Sequence, residues 1–194
     1  MPTEVQDVAI LGHYAYVAAG QSGLQVVDIS DPAHPRRVLW LDTPKYADAI
    51  AVARTYDSDG SVRDMAFLVE GTEGILPYDI TAVPDSIVDL RQGTSAYAGN
   101  AVCVKSPAFV SDPYVLFLAD SWRAITGFLS APDNPGFLDQ RVRAVPYGYS
   151  QDLALSQDGT HLYVADDEMG VTILDATGVE DRRLEVIGNI DTPD

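Results

Sequence analysis

The sequence predicts an all-β chain of four consecutive four-stranded antiparallel sheets, arranged as blades of a β-propeller. Three observations predict it. Aromatic anchors recur in AYVAA, AFLVE, LFLAD and LYVAD, at Tyr16, Phe67, Phe117 and Tyr163, in steps of 51, 50 and 46 residues. Seven residues beyond each anchor stand Gly23, Gly74, Ala124 and Gly170. Twelve beyond stand Asp28, Asp79, Leu129 and Asp175, each closing a similar segment: LQVVDIS, ILPYDIT, ITGFLSA and VTILDAT. Sheet units at a period of roughly 40–50 residues mark propeller blades, because one small sheet cannot bury both faces and radial stacking covers them.

In the first copy, residues 5–10 read as a short inner strand and 14–19 as the second strand, after a tight turn at Leu11, Gly12 and His13. Residues 20–23 turn the chain into a third strand over 24–29, rich in β-branched side chains. Residues 30–35 form a loop, since Pro32 and Pro35 lack a donor and fix φ; 37–41 is the outer strand. The second copy carries Pro77 inside its third strand, and its register makes residues 83–93 the outer strand. The third copy has Leu129 where the others have aspartate. The fourth turns a hairpin at 156–161, where Asp158-Gly159 supplies positive φ.

Each later copy opens on a tyrosine (Tyr46, Tyr97, Tyr149) before an apolar inner strand: ADAIAVA, AGNAVCV and SQDLALS. Small residues there (Ala9, Ala49, Ala51, Ala101, Ala154) suit a crowded axis. The expected blades are 4–45, 46–96, 97–148 and 149–194, in one domain. IDTPD at 190–194 matches LDTPK at 41–45, where a fifth copy would begin. The four copies are therefore a complete small propeller or a segment of a larger ring.

Charge narrows the partners. With 29 acids against 12 bases the net charge is −17, which repels phosphates and so argues against nucleic acid and anionic membrane surfaces. No apolar run approaches the roughly 20 residues a bilayer needs, and MPTEVQDVAI lacks the pattern of a signal peptide. The single cysteine, Cys103, lies between Val102 and Val104 and reads as a small core residue.

Asp7, Asp48, Asn100 and Asp152 fall at or within one residue of the inner-strand starts. A propeller sets them around one mouth of its central channel, beside Tyr46, Tyr97 and Tyr149. Converging carboxylates there could hold Ca²⁺, which takes roughly six to eight oxygen ligands, or a basic group of a partner. Asp57 and Asp59 in DSDG resemble a calcium loop but lack the EF-hand spacing and sit where a hairpin loop is expected. Asp28, Asp79 and Asp175 read as turn residues that accept backbone N–H groups. His13, His34 and His161 lie in turns, without metal-ligand spacing. No G-x-S-x-G, HExxH, P-loop or Rossmann pattern occurs.

GLQVVDISDPAHP, preceded by HYAYVAAG and followed by YADAIAVA, resembles the LVIVD-type repeat of bacterial and archaeal propellers; HLYVADDEMGVTILDAT in the fourth copy does too. The resemblance implies a non-catalytic binding or scaffold module, extracellular or at the cell surface, with a protein or surface glycan as partner. It implies no cofactor beyond the Ca²⁺ considered above and brings no catalytic residues. The alternative is a catalytic propeller, a hydrolase or lyase with a metal or ligand in the channel.

Overall fold

The structure, a computed structural model, describes residues 4–56, 59–92, 98–105, 113–120, 124–131, 134–146 and 148–192. It holds four antiparallel sheets, each of four strands paired in chain order. The first blade is β1 (Asp7–Leu11), β2 (Tyr14–Ala18), β3 (Leu24–Asp28) and β4 (Arg36–Leu41). The second is β5 (Ala47–Tyr56), β6 (Val62–Glu70), β7 (Gly74–Asp79) and β8 (Val88–Asp89). The third is β9 (Gly99–Lys105), β10 (Tyr114–Asp120), β11 (Ala124–Ala131) and β12 (Asn134–Ala144). The fourth is β13 (Asp152–Leu155), β14 (His161–Ala165), β15 (Val171–Asp175) and β16 (Glu185–Ile190).

The anchors occupy one register position. Tyr16 lies between Ala9 and Val26, Phe67 between Ala51 and Pro77, Phe117 between Cys103 and Gly127, and Tyr163 between Ala154 and Ile173. Because side chains alternate across a sheet, this position fixes which face meets which neighbour.

Three cores result, each shared by two successive blades. Tyr16, Leu24 and Val26 of the first blade pack with Ile50, Leu68 and Tyr78 of the second. Phe67 and Met65 face the third blade's Leu116, Leu118 and Tyr114; the Phe67 and Tyr114 rings meet edge to face at 5.9 Å. Phe117 and Ile125 pack with Leu162, Val164 and Leu174 of the fourth. A side chain of this size contributes about 2–3 kcal/mol by leaving water. The inner strands line the axis side by side, β1 against β5, β5 against β9 and β9 against β13. No comparable packing joins β13 back to β1 among the described residues, so the blades form an open arc.

Two departures from the regular repeat have local causes. The outer strand of the second blade shrinks to Val88–Asp89, and the stretch before it turns instead (Val83 N to Ile80 O, 3.1 Å; Asp85 N to Ala82 O, 2.8 Å). Pro77 accounts for the short pairing. Its carbonyl accepts Leu90 N at 3.1 Å, so its missing N–H would have pointed at that same outer strand. In the third blade Leu129 is buried and β11 runs on to Ala131, with no aspartate to turn the chain.

Candidate functional site

Asp28, Asp79 and Asp175 end their third strands in the same turn. Their Oδ1 atoms accept Ser30 N (2.9 Å), Thr81 N (2.9 Å) and Thr177 N (2.8 Å). The Ser30 amide holds the Asp28 carboxyl below the usual range, and the Thr177 hydroxyl and amide do the same for Asp175. Asp59 likewise accepts Ser61 N at 2.9 Å, in the hairpin between β5 and β6. Asp57 and Tyr97 lie outside the described residues.

The inner-strand starts gather at one end of the arc, with the loops between second and third strands. Asp7 Oδ1 accepts Val8 N (2.7 Å), and its Oδ2 crosses to Ile50 N of the second blade (2.9 Å). Asn100 Nδ2 crosses from the third blade to the fourth, donating to Ser150 O at 3.0 Å and Gln151 O at 3.5 Å. Asp48 accepts Gly71 N of its own blade at 2.9 Å, and burial raises its carboxyl above the usual value. Asp152 accepts Leu153 N at 2.8 Å and is exposed.

The four positions are not equivalent. Asp7 pairs with Ala18 and Asp152 with Ala165, each two residues past its anchor, whereas Asp48 and Asn100 are the extra residues where β5 and β9 slip register. Asp7 and Asn100 thus clasp neighbouring blades. Tyr46 also lies on a seam. Its hydroxyl donates to Glu4 at 3.2 Å and its ring covers Gly20, where an added Cβ would come within 2.9 Å of it. Gly20 N and O pair with Ala47 O and N across that seam (3.2 and 3.0 Å). Tyr149 is half-exposed. Among the described residues no three His, Cys, Asp or Glu side chains gather as metal ligands would.

Sequence reasoning missed a second acidic set. Three residues past the anchors stand Glu70, Asp120 and Asp166, all buried, with Ala19 in the first blade. Glu70 Oε2 accepts Lys45 N (3.2 Å) and Asp166 Oδ2 accepts Gly148 N (3.0 Å), each tying down the loop that enters its blade. Asp120 pairs with Arg143 at 2.9 Å. Burial raises the Glu70 carboxyl, outweighing the Thr43 and Lys45 hydrogen bonds. The signal stood in the closing acid of AFLVE, LFLAD and LYVAD.

Exposed acids stand at the same end on the first and fourth blades: Glu4, Asp42, Asp152, Asp167 and Asp191, with Lys45 on the loop into the second. An open depression lies elsewhere, on the fourth blade, lined by Ser156, Gln157, Asp158, His161 and Tyr163. There Ser156 Oγ donates to Asp158 at 2.6 Å and accepts the amides of Thr160 and His161. His161 Nδ1 meets Thr160 Oγ1 at 2.7 Å, so the serine hydroxyl is committed to a turn and not to a histidine base. Burial, with Asp152 adding to it, pushes the Cys103 thiol up to about 12, far from the thiolate a nucleophile needs.

The LVIVD repeat family matches residues 2–43 and 147–176, so the chain carries LVIVD repeats in its first and last blades. Solved structures share the fold. A protein of Bacteroides uniformis ATCC 8492, provisionally named 6-phosphogluconolactonase, aligns with TM-score 0.65 and 16% identity, over 95% of this chain and 56% of that one. One of Bacteroides fragilis NCTC 9343, named in the same way, gives TM-score 0.60 at the same identity and coverage. The chain thus spans 56% of the length of each, and the likeness is one of fold. No curated protein matches the sequence.

Proposed function

We propose that this chain is a non-catalytic binding module working outside the cytoplasm. Its partner is a protein presenting basic groups to the acidic end of the arc. The observation that carries the reading is the set of exposed acids at that end, Glu4 and Asp152 at inner-strand starts and Asp42, Asp167 and Asp191 in the loops beside them. A negative rim on a rigid support attracts cationic side chains and speeds their encounter. Half-exposed Tyr149 adds a contact surface with an apolar body and a polar tip.

A second reading, a catalytic propeller, is favoured by one observation: the fold shared with proteins provisionally named 6-phosphogluconolactonase. A phosphorylated lactone carries a dianion that this rim would repel.

Titration calorimetry with a lysine-rich and a glutamate-rich peptide of equal length, at low and high salt, tests the choice alongside a lactone-hydrolysis assay. The expected result is salt-sensitive binding of the basic peptide alone, weakened several-fold when Asp42→Asn and Asp191→Asn are combined, and no turnover. Turnover above the uncatalysed rate, or equal binding of both peptides, would sink the proposal.

A further inference from the structure

Where the third blade hands over to the fourth, two apolar residues stand in places that the repeat elsewhere gives to polar ones. Leu41, Ala144 and Ile190 end their outer strands in one register, paired with Leu24, Ile125 and Val171, each eight residues past its anchor. The next residue is Asp42 in the first copy and Asp191 in the last, but Val145 here. Six residues past the anchors stand Ser22, Glu73 and Arg123, but Met169 in the fourth copy. Val145 is 67% exposed and Met169 38%. Single surface hydrophobics are ordinary, whereas a group of them marks an interaction surface.

The fold brings these residues together around Gly148. Gly148 N donates to Asp166 Oδ2 at 3.0 Å, which seats the entry loop on the turn Asp167–Met169. A Cβ added to Gly148 would lie 3.1 Å from Met169 Cγ. Tyr149, next along that loop, is 48% exposed. Two exposed carboxylates border the group. Asp167 opens the same turn, and Asp191 lies behind Gly170, where an added Cβ would come within 3.0 Å of its Cα. Gly148 stands where the loop into the second blade has Lys45, each amide tied to a buried acid, so residues 145–149 carry no base.

We propose that Val145, Tyr149 and Met169 form a docking site for a basic segment of a partner protein that carries a large apolar side chain beside its cations. The site rests on the reading of the acidic end as a binding surface for basic groups, and adds what else the partner presents there. Val145 and the tyrosine ring offer apolar area, and the unbranched methionine adapts its shape to what lands on it. Asp167 and Asp191 at the border meet the cations. An apolar centre with a charged border is the common anatomy of protein interfaces: burial at the centre holds the partner, and the border steers its approach. Salt screens the carboxylates and leaves the apolar contact untouched.

Titration calorimetry with two peptides of equal length and equal lysine content, one spaced with serine and one with leucine, tests the proposal. The leucine peptide should bind roughly 10-fold tighter, and that ratio should persist at high salt while both affinities fall. In the double variant Val145→Ser, Met169→Gln, whose exposed changes leave the circular dichroism intact, the two peptides should bind alike. Equal binding to the unaltered chain, with the serine peptide still bound, overturns the docking site and leaves the acidic-end reading standing. A leucine advantage that survives the double variant also overturns it, because the apolar contact then lies elsewhere. If neither peptide binds, the acidic-end reading fails and the docking site falls with it.

Discussion

Phe117 and Tyr163 hold the same place in successive blades, yet Phe117 is sealed and Tyr163 is 39% exposed. Ala119 and Ala165, each two residues further on, differ in the same way. Sequence position within the repeat is equal; what differs is a neighbour. The repeat therefore encodes an interface and not a self-sufficient sheet. Each blade supplies half of two cores, and the contribution of a side chain depends on whether the other half is present.

The largest expected effect sharpens that comparison directly. Phe117→Ala should cost about 3–5 kcal/mol in urea unfolding, because the cavity opens between two packed sheets. Tyr163→Ala should cost under about 1 kcal/mol in dilute protein. Equal costs for the two at low concentration would break the comparison.

A smaller difference separates the clasps. Asp7→Ala removes the bond to Ile50 N across the first seam and should cost about 1–2 kcal/mol. Asp152→Ala, whose carboxylate reaches no next blade within the chain, should fall within about 0.5 kcal/mol. Differential scanning calorimetry of the two variants reads this difference as a shift in Tm.

The smallest expected effect contrasts an exposed turn with a buried seam through pH. Hydrogen bonds from Ser156 and then Thr160 hold the Asp158 carboxyl at about 2. A depressed value contributes stability that is present above the ordinary carboxylate value and lost as pH falls from about 4 to about 2. Glu70 runs the other way. Its value is raised by burial, so its contribution is present below the ordinary value and fades as pH rises through the folded one. Asp158→Ala should flatten the acid limb of the stability curve, and Glu70→Gln should flatten the opposing slope. Unchanged pH profiles in both variants would show that neither carboxyl is coupled to folding.

The sequence made the blades legible because strand pairing within a blade is local. Fixed offsets from Tyr16, Phe67, Phe117 and Tyr163 set the registers, and the strand-ending aspartates announced their turns. What joins one blade to the next was harder to read, since it depends on partners some 40–50 residues away. Asp7 reaches Ile50 across 43 positions, and Asn100 reaches Ser150 across 50. Two single-residue slips, at Asp48 and Asn100, move those side chains out of the shared register, and nothing in ADAIAVA or AGNAVCV announces them. The buried Glu70, Asp120 and Asp166 were readable as a repeated letter but not by their role, because acids are rarely buried without a partner and the partners lie far off in sequence, in the entry loops for Glu70 and Asp166 and at Arg143 of β12 for Asp120.

The alternation of cores also sets how the arc comes apart. The second and third blades are gripped on both faces, the first and fourth on one. Under tension, or in slow amide exchange, the outermost sheets should peel away first, each exposing the next in turn like links released from a clasped bracelet.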